Sequence, residues 1–256
     1  MAETLRVGDV DLEVAWFGPA EPAGLDLVML HEGLGCVALW RDVPERLAET
    51  TGSRVFVYSR QGYGASSPCA LPRPVTFMHT EGLEVLPRVL DAAGIGDCVL
   101  IGHSDGGSIA LINAGGVKDP RVRGVATLAA HVFNEEICVA SIREAKVAYE
   151  TTDLRDKLAR YHGANVDCAF RGWNDVWLDP DFWHWNIEEF LPGIAVPVLA
   201  MQGTDDEYGT EAQVDAIVAK VAGPASKHMI AGAKHSPHLQ AKDETLAALA
   251  DFVKSL

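Results

Sequence analysis

Short apolar runs alternate with amphipathic stretches along most of this chain of 256 residues. The apolar runs have the length of buried strands and lie at residues 25–32, 54–60, 98–104, 122–130, 196–203 and 226–232. Stretches with helical apolar spacing separate them, and a hairpin pattern around Gly8-Asp9 precedes them. We therefore predict an α/β protein with a doubly wound, mostly parallel sheet that begins with an antiparallel edge.

The alternation of strands and helices stops between residues 133 and 191. This segment has helical and irregular sequence without a convincing strand pattern. It holds four of the six tryptophans, namely Trp173, Trp177, Trp183 and Trp185. We interpret residues 133–191 as a small helical cap inserted into a core made of residues 1–132 and 192–256. Ordinary core packing explains any single one of these tryptophans equally well.

The chain carries a formal net charge of −15, with a pI near 4.9. Nucleic acids and anionic lipids bind clustered positive charge, so neither is an expected partner. No apolar run approaches the ~20 residues that span a bilayer. The first residues also lack the basic and apolar segments of a signal peptide. These features predict a soluble, cytoplasmic protein.

The cysteines are odd in number, widely spaced and never arranged as C-x-x-C. They are Cys36, Cys69, Cys98, Cys138 and Cys168. This pattern predicts neither a disulfide framework nor a zinc site. A chain of this length buries roughly 75% of its unfolded surface, so it folds without such cross-links.

The sequence GHSDG at residues 102–106 is the strongest candidate for chemistry. It directly follows an apolar strand and opens a helix rich in Ala, Ile and Leu, which is the setting of a nucleophile elbow. Small residues are needed there because the serine is strained and neighbouring backbone passes close by. Ser104 is therefore the predicted nucleophile; an incidental glycine-rich turn is the alternative.

A serine nucleophile requires a base and an acid that orients the base. His235 lies in GAKHSPH, after the last predicted strand and before the last helix, and is the predicted base. His238 is its rival, and His228 lies within the strand. The acid is expected between the serine and the histidine, at the end of a strand. Asp206 in GTDDE is favoured, with Asp205 in reserve.

Acyl transfer also requires two N–H donors for the oxyanion. One is expected from the backbone of Asp105, the residue after the nucleophile. The other is expected from HEGLG at residues 31–35, where Gly33 and Leu34 both remain candidates. A tight turn before a helix would also explain these glycines.

With these residues identified, the sequence resembles the α/β-hydrolase superfamily over nearly its whole length. The resemblance rests on HEGLG, YSRQGYGAS, GHSDGG, GTDD and GAKHSPH, which occur in this order at suitable distances. It implies the α/β-hydrolase fold, a Ser–His–Asp triad, no cofactor or metal, and acyl transfer to water. One position departs from the family pattern, since Glu32 stands where the turn usually has glycine.

The elbow SDGG is also similar to that of biphenyl-hydrolase-like enzymes, such as valacyclovir hydrolase, which act on α-amino acid esters. By this resemblance, the Asp105 carboxylate would receive a substrate ammonium group through a charge-assisted hydrogen bond. The alternative is that Asp105 caps or tethers the helix that follows the elbow.

These observations predict a serine hydrolase that cleaves carboxylic esters with small to medium acyl or aryl groups. Asp105, Trp173 and Trp177 are the predicted substrate-binding residues, and the cap is expected to close an apolar pocket over the site. A carbon–carbon bond hydrolase of aromatic-ring degradation is one alternative, and a ligand-binding receptor with a slow hydrolase site is another. The expected partner is a small-molecule ester, and the sequence is also compatible with a homodimer.

Overall fold

One eight-stranded sheet runs through the computed structural model, which describes residues 3–20 and 24–256. The strands are β1 Glu3–Val7, β2 Val10–Phe17, β3 Asp26–Leu30, β4 Val55–Tyr58, β5 Cys98–His103, β6 Val122–Leu128, β7 Val198–Gly203 and β8 Ala225–Ile230. Across the sheet their order is β1-β2-β4-β3-β5-β6-β7-β8. Strands β1 and β2 form the antiparallel edge, and all pairs from β4 to β8 are parallel. The predicted sheet is therefore confirmed.

Helices cover both faces of this sheet. Those of the core are α1 Val43–Thr51, α2 Phe77–Thr80, α3 Leu86–Ala92, α4 Asp105–Ile112, α8 Glu211–Lys220, α9 Pro237–Gln240 and α10 Lys242–Lys254. A π-helical turn, Glu81–Val85, joins α2 to α3, so the helix is continuous from Phe77 to Ala92. Pro87 is the second residue of α3 and directly follows this junction, so it does not interrupt the helix. Ala241 separates α9 from α10.

Successive residues of the buried strands pack into different cores. Val28 and Leu100 belong to the cluster on one face, whereas Leu27 and Val99 belong to the cluster on the other. Side chains alternate across a strand, so a strand covered on both faces must be apolar throughout. Every residue of β5 is buried for this reason. This burial fixes the carboxyl end of β5, which carries the predicted nucleophile.

Between β6 and β7, the chain leaves the sheet and forms three helices. They are α5 Glu136–Thr151, α6 Leu154–His162 and α7 Val166–Trp177, followed by short 3-10 turns. Helix α7 buries Val166, Phe170, Trp173 and Trp177, which recur at the spacing of one helical face. These helices occupy the segment that we interpret as the cap. Residues 1–2 and 21–23 of the predicted core lie outside the described residues.

A disulfide joins Cys69 to Cys168 and thereby connects the core to α7. The prediction of a chain without disulfides was wrong in this respect. The two cysteines are 99 residues apart, and the fold brings their Cα atoms to within 6.4 Å. Cysteine spacing alone does not reveal a pair of this kind. Cys36, Cys98 and Cys138 are free and buried.

Candidate active site

Ser104 lies in the sharp turn between β5 and α4, with a φ of 51° and a ψ of −120°. A non-glycine residue in this region is strained, by about 1–3 kcal/mol. The backbone N–H of Ser104 donates to the carbonyl of Leu128 on β6 at 2.8 Å, which anchors the turn to the sheet. The strained residue therefore stands at the carboxyl end of a fully buried strand.

Two glycines of the elbow are required by close backbone contacts. A Cβ at Gly102 would collide with the backbone of Gly106, and a Cβ at Gly106 would collide with the carbonyl of Leu30 on β3. The G-x-S-x-G pattern is thus explained by the tight passage of α4 over the sheet.

Ser104, His235 and Asp206 form a continuous chain of hydrogen bonds. The Ser104 hydroxyl donates to His235 Nε2 at 2.9 Å. His235 Nδ1–H donates to Asp206 Oδ1, also at 2.9 Å, because an ionised carboxylate only accepts. Asp206 additionally accepts the backbone N–H of Tyr208 at 2.8 Å. The structure therefore brings the three predicted residues together from the ends of β5, β7 and β8.

The electrostatic surroundings favour a carboxylate at Asp206 and a neutral imidazole at His131. Burial opposes ionisation of Asp206, but its hydrogen bond to His235 and the His235 charge prevail and lower its pKa. Burial, reinforced by the charge of His235, lowers the pKa of His131 to about 4. His131 Nε2–H donates to the carbonyl of Tyr208 at 3.1 Å, as a neutral ring does.

The rival residues lie elsewhere. His238 is buried against Trp40 and the ring of His103 rather than beside Ser104. His228 contacts Glu244 at 3.2 Å, on the outside of the sheet. Asp205 is exposed. Among the candidates considered, the geometry unites His235 and Asp206 with the serine.

Within residues 3–20 and 24–256, the backbone N–H groups of Gly33, Leu34 and Asp105 have no backbone acceptor. Asp105 is the first residue of α4, so its N–H also lies at the positive end of a helix dipole. The indole of Trp173 packs so closely on Gly33 that a Cβ there would collide with the ring.

The serine opens into a cavity of about 220 Å³. Its sheet-side wall includes Glu32, Gly33, Leu34, His103, His131, Glu207, Tyr208 and His235. Its cap-side wall consists of Cys138, Ile142, Trp173 and Trp177. The predicted substrate-binding residues Trp173 and Trp177 therefore line the cavity. Both carboxylates in the lining, Glu32 and Glu207, belong to the sheet-side wall.

Asp105 lies behind the cavity wall rather than in it. Its side chain is fully buried, and Trp177 Nε1–H donates to Asp105 Oδ1 at 3.2 Å. Burial raises the pKa of Asp105, against the charge of Arg60 and the hydrogen bond from Trp177. This contact matches the tethering alternative for Asp105, because it ties α4 to the last residue of α7.

Arg60, which was not among the predicted site residues, holds the turn at residues 31–35. Arg60 is fully buried; its Nη1 donates to the carbonyl of His31, and its Nη2 donates to that of Glu32 at 3.0 Å. His31 Nε2 accepts the backbone N–H of Arg60 at 3.0 Å. The signal was present in YSRQGYGAS, where an arginine follows a buried strand. A buried guanidinium stabilises carbonyls that would otherwise lack donors.

Glu32 and His103 form a second pair at the cavity. His103 Nδ1 lies 3.4 Å from Glu32 Oε2, and His103 Nε2 lies 2.8 Å from the backbone carbonyl of His235. Sequence reasoning noted the departure from glycine at Glu32 but did not predict its partner.

The described part of the chain has neither a metal-binding cluster nor a membrane-spanning helix. Residues 3–20 and 24–256 contain no cluster of three or more His, Cys, Asp or Glu side chains arranged to hold a metal ion. In the same ranges, no helix is both long enough and apolar enough to cross a membrane.

Comparisons with known proteins agree with this fold. A sequence model of the alpha/beta hydrolase family matches residues 27–248. A curated relative from Azorhizobium caulinodans, named "Putative carbamate hydrolase RutD", is 35% identical over 105 residues. This match covers 41% of the present chain and 36% of the relative, so the chain spans little more than a third of that relative's length.

Solved structures share the fold over nearly the whole chain. Proline iminopeptidase from Mycobacterium smegmatis has a TM-score of 0.76 at 21% identity, covering 100% of this chain and 98% of the other. An enol-lactonase from Burkholderia xenovorans LB400 has a TM-score of 0.75 at 20% identity, covering 98% and 100%. At such low identity these similarities concern the fold alone. They confirm the fold that the sequence motifs predict.

Proposed function

Because the chain belongs to the alpha/beta hydrolase family, we propose that it is a serine hydrolase that cleaves carboxylic esters with small to medium acyl or aryl groups. The observation that carries this proposal is the unbroken hydrogen-bond chain from Ser104 through His235 to Asp206 at the floor of a cavity. That arrangement has the geometry needed to activate a serine hydroxyl.

In the proposed mechanism, His235 takes the proton of Ser104 as the oxygen attacks the ester carbonyl. Asp206 holds the imidazole in the required tautomer and stabilises the imidazolium that forms. The alcohol leaves with a proton from His235, and an acyl-enzyme remains on Ser104. Water then attacks this acyl group, with His235 again as the base, and the carboxylic acid is released.

The proposed oxyanion donors are the N–H of Asp105 and an N–H of the turn at residues 31–35. Among the described residues, the N–H groups of Gly33, Leu34 and Asp105 have no backbone acceptor, which supports this assignment because a ligand can accept from them. Gly33 and Leu34 both line the cavity, so either N–H can serve as the second donor.

The cavity supports a substrate of limited size. A volume of about 220 Å³ suits a small or medium acyl or aryl group better than a long lipid chain. The indole rings of Trp173 and Trp177 supply flat apolar surface on the cap side. We propose that the acyl or aryl part of the substrate lies against these rings.

A substrate panel combined with an active-serine probe tests the function. Purified protein should react with a fluorophosphonate probe and hydrolyse nitrophenyl esters. Ser104→Ala should lose probe labelling and roughly 10⁶-fold in kcat, with its circular dichroism and melting temperature retained. Ser108→Ala, which changes a nearby buried serine that donates to the carbonyl of His131, is the matched control for labelling.

The panel should contain esters, thioesters, lactones, carbamates and a vinylogous diketone. Turnover of esters above the other classes supports the proposal. Exclusive turnover of the diketone would contradict ester hydrolysis and indicate carbon–carbon bond hydrolysis instead. Full activity in Ser104→Ala would remove the serine mechanism altogether.

A further inference from the structure

The cap contacts the turn at residues 31–35, which we call the oxyanion turn, through the buried side chain of His162, the last residue of α6. His162 Nδ1 accepts the backbone N–H of Gly64 at 3.0 Å, and His162 Nε2–H donates to the backbone carbonyl of Leu34 at 3.0 Å. A backbone N–H only donates and a carbonyl only accepts, so these two bonds require a neutral ring with its proton on Nε2. The ring therefore bridges two segments of the core from a position in the cap.

The direction of the Leu34 carbonyl is coupled to that of other groups in the oxyanion turn. The peptide bonds of this turn are trans, so the carbonyl and the N–H of each peptide unit point in opposite directions. The unit that carries the Leu34 carbonyl also carries the N–H of Gly35, which donates to the carbonyl of Glu32 at 3.2 Å. The unit that carries the Glu32 carbonyl also carries the N–H of Gly33. A series of hydrogen bonds and rigid peptide units thus connects His162 to one of the proposed oxyanion donors.

Two side chains hold the oxyanion turn at its two ends. Arg60 donates to the carbonyls of His31 and Glu32, at the start of the turn. His162 donates to the carbonyl of Leu34, near its end. Within residues 3–20 and 24–256, no backbone N–H donates to the Leu34 carbonyl. Removal of the imidazole would therefore release the end of the turn, while Arg60 continues to hold the start.

The junction between α6 and α7 is itself anchored to the core segment that follows β4. Asn165 Nδ2 donates to the carbonyl of Gly64 at 3.2 Å and to that of Ser66 at 2.6 Å. The disulfide described above joins α7 to the same segment. These contacts fix the place of His162 beside the oxyanion turn. His162 does not line the cavity, so it can act by positioning the turn and not by contact with the substrate.

We propose that His162 is a positioning residue for the oxyanion turn, because its bond to the Leu34 carbonyl holds the N–H groups of the turn in the direction that a developing oxyanion requires. The kinetic part of this inference rests on the proposed function, whereas the effect of the bond on the turn does not. Full negative charge develops on the substrate oxygen only as the transition state is reached. A misdirected donor therefore lowers kcat more than it changes KM.

Two substitutions of His162 separate its two hydrogen bonds. His162→Gln places an amide nitrogen near the position of Nε2, so it can still donate to the Leu34 carbonyl. His162→Asn places an amide oxygen near the position of Nδ1, so it can accept from Gly64, but it is too short to reach Leu34. We expect kcat for acetyl and aryl nitrophenyl esters alike to fall by roughly 10- to 100-fold in His162→Asn, the scale of a displacement of about 1 Å. In His162→Gln, kcat should stay within about threefold of the unmodified protein, because the donor to the turn remains.

A hydrogen bond within the cap provides the matched control. The Tyr149 hydroxyl donates to Asp167 Oδ1 at 2.8 Å, and Tyr149→Phe removes this bond but keeps the ring that stacks on Phe170. This variant should keep kcat within about threefold, since it loses no contact with the turn or the substrate. Full kcat in His162→Asn, or an equal fall in His162→Gln, would overturn the kinetic part of the proposal. An equal fall in Tyr149→Phe would also overturn it, because the loss would then reflect the stability of the cap.

Amide hydrogen exchange, followed by NMR, tests the oxyanion turn without any substrate. The N–H of Gly35 is bonded to the carbonyl of Glu32, so its exchange rate reports how firmly the turn is held. Exchange should be roughly tenfold faster in His162→Asn than in the unmodified protein, the scale of one hydrogen bond, and nearly unchanged in His162→Gln. Equal exchange in all three proteins would refute the positioning role. If exchange differs as expected but no ester is turned over, the proposed function fails and the positioning of the turn by His162 stands.

Discussion

The two walls of the cavity are constructed in different ways. On the sheet side, hydrogen bonds fix the proposed catalytic groups: His235 is held at both ring nitrogens, at 2.9 Å in each case. On the cap side, packing dominates, with the Trp177 ring 4.8 Å from Phe182 and 5.6 Å from Trp185 between centroids. Hydrogen bonds also connect the two sides: Trp177 Nε1–H donates to Asp105 Oδ1, and the Ser141 hydroxyl donates to the backbone carbonyl of Glu207 at 2.6 Å.

This difference separates chemistry from selectivity. Proton transfer requires positions accurate to tenths of an ångström, which directional bonds to buried strand ends provide. Packed apolar surfaces tolerate replacements of similar volume, so a cap wall can change its shape without loss of the fold. We therefore expect changes in the sheet-side wall to slow every substrate, and changes in the cap-side wall to alter the ratio between substrates.

The largest effect should come from removing the charge of Asp206. Asp206→Asn keeps the shape of the side chain but can present an N–H to His235, which favours the wrong imidazole tautomer. We expect kcat to fall by roughly 10⁴-fold for every ester in the panel. Asp205→Asn changes the exposed neighbour and should stay within about threefold of the unmodified protein. Similar kinetics in the two variants would contradict the role given to Asp206.

The sequence permitted prediction of three neighbouring residues on the sheet side because their positions follow from strand order. Ser104, Asp206 and His235 each follow the end of a parallel strand, and such ends meet at one edge of a sheet. Buried apolar runs mark those strands clearly. Local pattern was therefore enough to bring together residues that lie more than a hundred positions apart.

The contacts that escaped prediction depend on which side chains face each other across segments. Glu32 and His103 are 71 residues apart, and Cys69 and Cys168 are 99 apart. No periodic sequence pattern marks either pair. Which side chains face each other depends on the paths of the loops and on the placement of the cap. Asp105 is a similar case. Its carboxylate had two interpretations from the sequence, and its contact with Trp177 in the structure favours the tethering one.

A smaller, selective effect is expected in the cap-side wall. Trp173→Leu shortens the apolar surface that faces the cavity and lies on Gly33. We expect the ratio of kcat/KM for an aryl ester to that for an acetyl ester to fall about tenfold, the scale on which apolar pockets discriminate. Trp183→Leu is the matched control, because Trp183 is 45% exposed and does not line the cavity. An equal loss for both esters would mean that Trp173 serves the oxyanion turn rather than the pocket.

The smallest effect on selectivity is expected at Asp105, where the two walls meet. Its carboxylate is fully buried behind Trp177, so a substrate ammonium group in the cavity has no direct path to it. In Asp105→Asn, the amide oxygen can still accept from Trp177 Nε1–H. We therefore expect matched esters with and without an α-amino group to keep their ratio of kcat/KM within about twofold, as for a group that makes no contact with the substrate. If the preference for the ester with the α-amino group is lost in this variant, ammonium binding would be assigned to Asp105. It would also require Trp177 to move aside during catalysis, which would make the cap wall part of the binding step.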